Sequence, residues 1–362
     1  MVVQKLTTFF TLILLFFGLT TGLANPETPS DGDAQVNTEE EINEYKAHHL
    51  KDAYDYTLFS YGDTPRHHVG FPLPIILWDN GLKVFSSSKF HHGEEVAEAG
   101  GSYYKIFHGK IYKTDASGTI NLDEEGHATN EKPLDFSITK AIVDLLIAGI
   151  LILLLFSALA KAYKKGPIPT GVARFLEPLV IYVRDEIARP NIGEEKYRKY
   201  MGYLLTVFFL IWILNILGLT PLAVSVTANV TFTICLALFT FIIVNFSGNK
   251  NYWSHIFWMP GVPVLMKIFM IPIEILGILT KPFSLFIRLF ANISAGHMVV
   301  MSLIALTIIL KAQYGVVGST SISFVLSLFI SLIEVLVAFL QAFIFTMLSS
   351  LFIGMAVEEH EH

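Results

Sequence analysis

The chain has 362 residues, of which 53% are hydrophobic and only 15% are charged. A soluble domain carries about 25% charged residues, so this composition indicates a membrane protein. The formal net charge of −6 reflects acidic residues that are crowded into the first third of the chain. The sequence lacks a basic stripe with interleaved aromatic residues, which argues against nucleic acid as a partner.

Residues 1–24 are typical of a secretory signal peptide, because Lys5 precedes an apolar run and Gly22-Leu23-Ala24 offers a small-residue cleavage site. The alternative is an uncleaved first membrane helix. The apolar core from Phe9 to Phe17 is shorter than the ~20 residues that a span needs, which favours cleavage. Cleavage would place the chain from Asn25 onward outside the cytoplasm.

Residues 25–133 are predicted to form an extracytoplasmic, periplasmic extension. Its start, to about Asn43, is acidic and rich in Pro, Thr and Asp, which predicts a disordered tether. The remainder holds aromatic and β-branched clusters interrupted by Asp-Asn-Gly and Gly-Gly, which predict short strands and hairpins. These clusters lie at Tyr54–Phe59, Phe71–Trp78 and Tyr103–Phe107. We therefore expect a small β-rich domain from Glu44 to Pro133.

Candidate ligands for a metal site, or groups of a proton-collecting surface, are the histidines of the extension: the pairs His48-His49, His67-His68 and His91-His92, with His108 and His127. Adjacent residues on a strand point to opposite faces, which is poor metal geometry, so we interpret these pairs as solvated surface residues. Cys235 is the sole cysteine, which excludes an intramolecular disulfide, and its apolar surroundings predict a buried side chain. We expect no metal and no cofactor.

Residues 134–362 are predicted to form the membrane domain, an all-α polytopic bundle of about five membrane helices. Between the first two spans, residues 170–189 mix apolar and charged side chains as an amphipathic helix on the membrane surface does. The expected spans are Phe136–Tyr163, Tyr200–Leu219, Leu222–Phe246, Met266–Leu310 and Ser321–Val357.

The orientation follows from the basic residues. The segment from Lys161 to Lys199 holds nine Lys or Arg, which predicts that it is cytoplasmic. The N-terminal domain is then outside, in agreement with the signal peptide. Five spans place the C-terminus, Glu358–His362, in the cytoplasm.

The last two spans are too long to cross a bilayer upright. The 45 residues from Met266 to Leu310 would form a helix about twice the ~30 Å hydrocarbon thickness. We expect a long helical hairpin over residues 264–357 with a turn at Gly315 and Gly318. Its first helix must be broken, strongly tilted or laid partly in the membrane plane, and Lys281-Pro282 offers one break point. Such a tilted pair could cradle a curved partner.

Three ionisable residues lie within the last two spans: Arg288, His297 and Glu334, with Glu274 near the start. Each is costly, ~2.5–3.5 kcal/mol for a central arginine, so the default interpretation is functional. The alternative is a buried Arg288–Glu334 ion pair that only specifies helix packing.

Helical geometry groups these residues into faces. Ser284 and Asn292 fall within about 40° of Arg288, whereas His297 projects to roughly the opposite side. On the last helix, Glu334 and Gln341 are seven residues apart and share a face.

The run from Pro282 to His297, PFSLFIRLFANISAGH, resembles the signature of ATP synthase subunit a. The last helix is similar to that family through Leu340-Gln341-Ala342-Phe343, and the tail through Ala356-Val357-Glu358. The resemblance covers about half of the chain, from roughly Leu176 to His362, and leaves out the N-terminal extension.

The resemblance implies a role for each site residue. Arg288 would face the essential carboxylate of a rotating ring of c subunits, stabilise its ionised form and block a direct leak between two offset half-channels. The proton path would be formed by Glu274, Ser284, Asn292, His297, Glu334 and Gln341.

Two departures from the family pattern stand out. Many bacterial relatives carry a carboxylate at the position of His297 and a histidine at that of Glu334, so this exchange supports proximity of the two. Asn229-Val230-Thr231 is a weaker match to the family, and the acidic residue that is common two positions before this asparagine is replaced by Thr227 here.

The resemblance further implies a non-catalytic proton-channel subunit of the bacterial cell inner membrane, working with the c-ring, the b-subunit peripheral stalk, other ATP synthase subunits and the lipid bilayer. No Gly-x-x-x-x-Gly-Lys loop is present, so ATP chemistry would belong to those partners. The alternatives are a secondary transporter or stand-alone ion channel, for which no inverted repeat is evident, and an envelope receptor. The choice between H⁺ and Na⁺ stays open.

Overall fold

The structure is a computed structural model that describes residues 52–61, 67–93, 95–123, 127–166, 171–220, 226–258 and 263–358. The predicted signal peptide and tether lie outside these residues. The chain divides into two compact units, one formed by residues 1–146, 220–224 and 303–325, and the other by residues 147–219, 225–302 and 326–362.

The first unit contains three small antiparallel sheets, which confirms the prediction of short strands and hairpins. They comprise β1 (Asp55–Tyr61) with β2 (His67–Pro72); β3 (Pro74–Trp78) between β4 (Leu82–Ser86) and β8 (Leu134–Asp135); and β6 (Ser102–Phe107) between β5 (Ala97–Ala99) and β7 (Lys110–Thr114). A 3₁₀ helix, Ser87–Gly93, follows β4.

The turn between β3 and β4 is made by the Asp-Asn-Gly sequence that predicted a hairpin. Asn80 and Gly81 both have positive φ, 51° and 132°, as a tight hairpin turn requires. Asp79 is 7% exposed and accepts hydrogen bonds from Tyr104 Oη at 2.8 Å and Lys113 Nζ at 3.1 Å. These two bonds lower the pKa of Asp79, which ties the β3–β4 turn to β6 and β7.

The membrane domain is helical, with short connections. Its helices are α1 (Lys140–Lys165), α2 (Val172–Tyr182), α3 (Arg189–Ile192), α4 (Tyr197–Gly218), α5 (Val230–Ser247), α6 (Lys250–Phe257) and α7 (Val264–Val357); a π-helical stretch, Val183–Ala188, joins α2 to α3, and a 3₁₀ turn, Val226–Ala228, precedes α5.

Five stretches in the described part of the chain are long and apolar enough to cross a membrane, which confirms the predicted number. They are Lys140–Lys164, Tyr197–Gly218, Val230–Ser247, Met266–Gly296 and Ser321–Val357. The segment predicted as an amphipathic surface helix is helical from Val172, and its position on a membrane surface stays a prediction.

Helix α7 is interrupted at Gly315, where φ is 69° and ψ is 176°. This left-handed conformation suits glycine, and it divides α7 into two segments, α7a (264–314) and α7b (316–357). Of the three alternatives for the first long helix, a break at Lys281-Pro282 is not the one that forms, because α7a stays helical through both Pro272 and Pro282. Prolines are tolerated inside membrane helices where neighbouring groups satisfy the freed backbone carbonyls.

The core of the second unit joins α4 to both segments of α7. Leu204, Phe208 and Ile211 of α4 are buried in one cluster with Leu285 of α7a and Ala342 of α7b. This packing holds the two parts of α7 that carry the candidate site.

Cys235 is exposed on α5, so the prediction that it is buried is wrong. A membrane helix can leave apolar side chains on its outer surface because lipid solvates them.

The C-terminal end of α7b is held by the basic segment and by the loop before α6. Lys196 Nζ donates to the carbonyl oxygen of Val357 at 2.9 Å, and so does Asn249 Nδ2 at 2.9 Å. Both bonds satisfy a carbonyl that a helix end leaves unpaired. Lys196, the α5–α6 loop and the end of α7b at Val357 therefore lie at one end of the bundle.

Candidate functional site

The candidate site is built on α7a, whose two faces differ in exposure. Leu285 and Leu289 pack into the core and are 2% and 1% exposed. Ser284, Arg288 and Asn292, spaced four residues apart, are all exposed. The helical repeat therefore presents these three polar side chains away from the packed face.

Arg288 has no hydrogen-bond or ion-pair partner among the residues that the structure describes. The described structure therefore does not contain the ion pair between Arg288 and Glu334 that was the alternative interpretation. The guanidinium lies within the apolar stretch Met266–Gly296, where an unpaired charge is costly. An exposed cation in such a stretch needs an anion or water from outside the described chain.

Glu334 of α7b lies against α7a at Gly296. A Cβ atom built on Gly296 would stand 2.9 Å from Glu334 Oε1, so the missing side chain of the glycine makes room for the carboxylate. Residue 297 follows directly in the same helix, and the side chain of His297 lies outside the described residues. The backbone thus places position 297 next to the residue that Glu334 touches.

Gln341 lies on the packed side of α7b and is 2% exposed, unlike Asn292 on α7a. Its neighbour in the helix, Ala338, is 4% exposed and accepts a hydrogen bond through its carbonyl oxygen from Asn215 Nδ2 at 3.4 Å. Asn215 belongs to α4, so α4 contacts the stretch of α7b between Glu334 and Gln341.

Asn215 is a polar residue that the sequence reasoning missed. It is 5% exposed, and its Oδ1 atom is buried without a hydrogen-bond partner in the described structure. The signal that could have found it is an amide inside the apolar run Ile213-Leu214-Asn215-Ile216-Leu217, since polar groups at membrane depth are costly unless they are paired.

Glu274 lies near the start of α7a, beside the short helix α6. His255 Nδ1 is 3.4 Å from Glu274 Oε1, and both side chains are partly exposed. Lys267 completes the lining of this recess together with Ile256, Met270 and Ile271. The amine of Lys267 lies over the Trp258 ring at 4.1 Å from its centroid. This end of α7a therefore has a cluster of titratable groups.

The helical segment after α1 carries its own ion pairs. Arg184 makes two hydrogen bonds to the Asp185 carboxylate, at 2.8 Å and 2.9 Å, and Arg189 adds a third at 2.9 Å. Both arginines lower the pKa of Asp185, with Arg184 the larger cause. The carboxylate stays ionised and holds the turn that leads into α4.

Comparisons with known proteins match both parts of the chain. A family model described as "ATP synthase A chain" matches residues 142–354, and a second, described as a domain of unknown function (DUF8433), matches residues 45–136. The chain is 42% identical over 283 residues to the ATP synthase subunit a of Pelodictyon phaeoclathratiforme, which covers 75% of this chain and 80% of that protein.

Two further relatives have the same description. The ATP synthase subunit a 2 of Prosthecochloris aestuarii is 40% identical over 306 residues, 80% of this chain and 92% of that protein. The ATP synthase subunit a of Anaeromyxobacter sp. is 42% identical over 258 residues, 67% of this chain and 61% of that protein. A match over 80% of this chain must extend N-terminal of residue 142, so the relative from Prosthecochloris shares part of the small domain.

Proposed function

The chain belongs to the ATP synthase A chain family, and on that premise we propose that it is the stator subunit that carries protons past a ring of c subunits in a rotary ATP synthase. Family membership makes it a membrane subunit concerned with ATP synthesis and proton transport. The proposal adds two half-channels, an essential Arg288 and a carboxylate of the ring as its partner. The ATP chemistry belongs to other subunits.

The observation that carries the proposal is the unpaired charge of Arg288. The guanidinium is exposed within an apolar membrane stretch and has no acidic partner in the described chain. A partner that carries an ionised carboxylate at membrane depth would remove this cost and would itself be stabilised in its charged form. A c subunit is the partner of this chemistry that the family implies.

The positions of the other titratable groups support two separate half-channels. Along α7a, Glu274 is ~21 Å from Arg288 in one direction, and residue 297 is ~14 Å away in the other. The Glu274–His255 pair lies in the first third of the apolar stretch Met266–Gly296, and Glu334 lies beside its last residue. A proton that enters one half-channel could reach the other directly, without being carried by the ring, only by passing the fixed positive charge of Arg288. Like charges repel, so Arg288 opposes this direct passage.

The exposed polar residues next to Arg288 fit the surface that the ring would touch. Ser284 and Asn292 lie one helical turn on either side of Arg288. Gln341, Glu334 and His297 complete the proposed path, with Gln341 acting from the packed side of α7b. We assign the b-subunit stalk as a second partner and the bacterial inner membrane as the location of the chain. In this assignment the N-terminus lies on the periplasmic side and the C-terminus on the cytoplasmic side.

The test is ATP-driven proton pumping in inverted membrane vesicles carrying the wild-type chain or Arg288→Ala. We expect pumping to be lost while the ATPase subunits stay membrane-bound. Arg174→Ala is the matched control, because Arg174 is an exposed arginine of α2 outside the site. Unchanged pumping in the Arg288 variant, or solute transport by the chain alone in liposomes, would overturn the proposal in favour of a transporter.

A further inference from the structure

The outer face of the β4–β3–β8 sheet is apolar and exposed. Trp78 is 54% exposed, Leu82 62%, Val84 60%, Leu134 62% and Phe136 64%. Contiguous apolar patches larger than a few hundred Å² are unusual on soluble surfaces and mark contact with a partner or a membrane.

The strand register shows that these side chains form one continuous surface. Trp78 lies between Leu82 on β4 and Leu134 on β8, and Ile76 pairs with Val84. The amide of Phe136 donates to the carbonyl oxygen of Ile76 at 2.9 Å, which aligns Phe136 with that second row. Two rows of three apolar residues therefore cross the sheet, one centred on Trp78 and the other on Ile76.

The opposite face of the same sheet is already used. Ile75, Leu77 and Phe85 point the other way and are buried in the core of the small domain. An antiparallel sheet with one solvated face alternates apolar and polar residues, whereas apolar residues on both faces are typical of a sheet that is covered on both. The outer face thus has the composition of a buried surface.

The position of this sheet in the chain indicates what covers it. Phe136 precedes Lys140, the first residue of α1, by four positions, so the outer face is at most ~14 Å along the chain from a membrane-spanning helix. The connection is held by the hydrogen bond from Ile76 N to Ser137 Oγ at 3.0 Å and by that from Ile138 N to Pro74 O at 3.1 Å.

The start of α1 is fixed to the domain as well. Tyr56 Oη donates to Asp144 Oδ1 at 2.9 Å, and the amide of Ala141 donates to Asp52 Oδ1 at 3.1 Å. The amide of Lys140 donates to Ala53 O at 2.9 Å. Because the first turn of α1 is bonded to the domain, the sheet keeps a fixed height relative to the apolar surface of the helix, which continues at Ile142 and Leu146.

We propose that the outer face of the β4–β3–β8 sheet is inserted into the lipid leaflet in which α1 begins, so that the small domain is a monotopic membrane anchor. Tryptophan and other aromatic side chains favour the level of the headgroups, where Trp78 and Phe136 would lie. The charged residues Glu131 and Lys132, exposed just before β8, would face the headgroup region. The domain would thereby hold the entrance of α1 at the membrane surface.

The test is spin-label accessibility in the full chain reconstituted into lipid vesicles. Cys235 is first replaced by Ser, and single cysteines are introduced by Val84→Cys and, in a second variant, Leu82→Cys. Collisions are measured with oxygen, which concentrates in lipid, and with a water-soluble nickel chelate. Lys110→Cys is the control, because Lys110 is an exposed charged residue on the sheet formed by β5, β6 and β7.

We expect oxygen collisions to exceed nickel collisions at positions 82 and 84, and the reverse at position 110. More frequent nickel collisions at both sheet positions would mean that the face is in water, which overturns the proposal. Protection from both reagents would mean that protein covers the face, which overturns it as well. Neither outcome bears on the proton path, so this proposal and the proposed function fail separately.

Discussion

Glu334 Oε1 and the backbone of Gly296 are so close that a Cβ atom on residue 296 would stand 2.9 Å from the oxygen. The carboxylate of α7b thus occupies space that a glycine on α7a leaves free. If Glu334 carries protons, its position depends on this gap. The contact also explains how two helices that meet at the candidate site can approach closely there.

Gly296→Ala is expected to lower ATP-driven proton pumping severalfold while leaving the amount of chain in the membrane unchanged. The added methyl group displaces a flexible carboxylate rather than backbone, and alanine favours a helix over glycine by ~1 kcal/mol. The readout is the pumping rate in inverted vesicles, normalised to chain content.

Gly277→Ala is the matched control for this prediction, because it lies in the same helix and a Cβ there meets nothing within 4 Å. Equal pumping by the two alanine variants would show that the position of the Glu334 carboxylate is unimportant.

Arg288→Lys is expected to lose coupled pumping although it keeps a positive charge. A lysine ammonium can release its proton at membrane depth, whereas a guanidinium does not, and lysine cannot pair with a carboxylate through two parallel hydrogen bonds. ATP-driven pumping and passive proton leak are measured in the same vesicles, with Arg174→Lys as control. Pumping at the wild-type rate would mean that any cation suffices at this position.

The sequence predicted most of the architecture because its signals are local. The Asp-Asn-Gly turn before Leu82, the apolar spans and the turn at Gly315 each depend on neighbouring residues, and all three are present. Pro282 was misjudged, because whether a membrane helix tolerates a proline depends on the helices around it. Cys235 was misjudged because exposure inside a bilayer does not follow the rules of a soluble core.

The candidate site was predicted only in part. Helical periodicity grouped Ser284, Arg288 and Asn292 correctly on one exposed face, since this grouping follows from the helix alone. The contact of Glu334 with Gly296 and the hydrogen bond from Asn215 to Ala338 join residues from different helices. Such contacts depend on how the helices pack, which spacing along one helix does not reveal.

Gly354→Ala is expected to destabilise the chain by about 1–3 kcal/mol. A Cβ atom on Gly354 would overlap the carbonyl oxygen of Asn191, and a backbone atom cannot move aside without shifting α3 against α7b. Thermal unfolding in detergent measures the loss.

Gly202→Ala in α4 is the control for the Gly354 variant, because nothing lies within 4 Å of a Cβ there. It is expected to keep or slightly raise the unfolding temperature, since alanine favours the helix. A Gly354 variant as stable as this control would contradict the close approach of the two backbones.

The small domain is expected to lose stability in acid through Asp79. Hydrogen bonds from Tyr104 and Lys113 lower the pKa of this carboxyl in the folded state. The folded chain therefore binds the proton of this carboxyl more weakly than the unfolded chain does. The contribution of Asp79 to the free energy of unfolding is thus fully present above the unfolded pKa of ~4, and it is lost as the pH falls through the lowered pKa of the folded state. Asp79→Asn should be less stable than wild type at pH 7 by ~1–3 kcal/mol and should lack this dependence.

The measurement is unfolding of the full chain in detergent between pH 7 and pH 2, followed by Trp78 fluorescence after Trp212, Trp253 and Trp258 are replaced by Phe. Trp78 adjoins Asp79 and reports on the β3–β4 turn. Glu98→Gln, which removes an exposed carboxylate of β5, is the control and should follow the wild-type pH profile. If Asp79→Asn loses stability in acid as steeply as wild type, a group other than Asp79 governs the acid transition. The ion pair of Asp79 with Lys113 would then contribute little to holding the β3–β4 hairpin against β7.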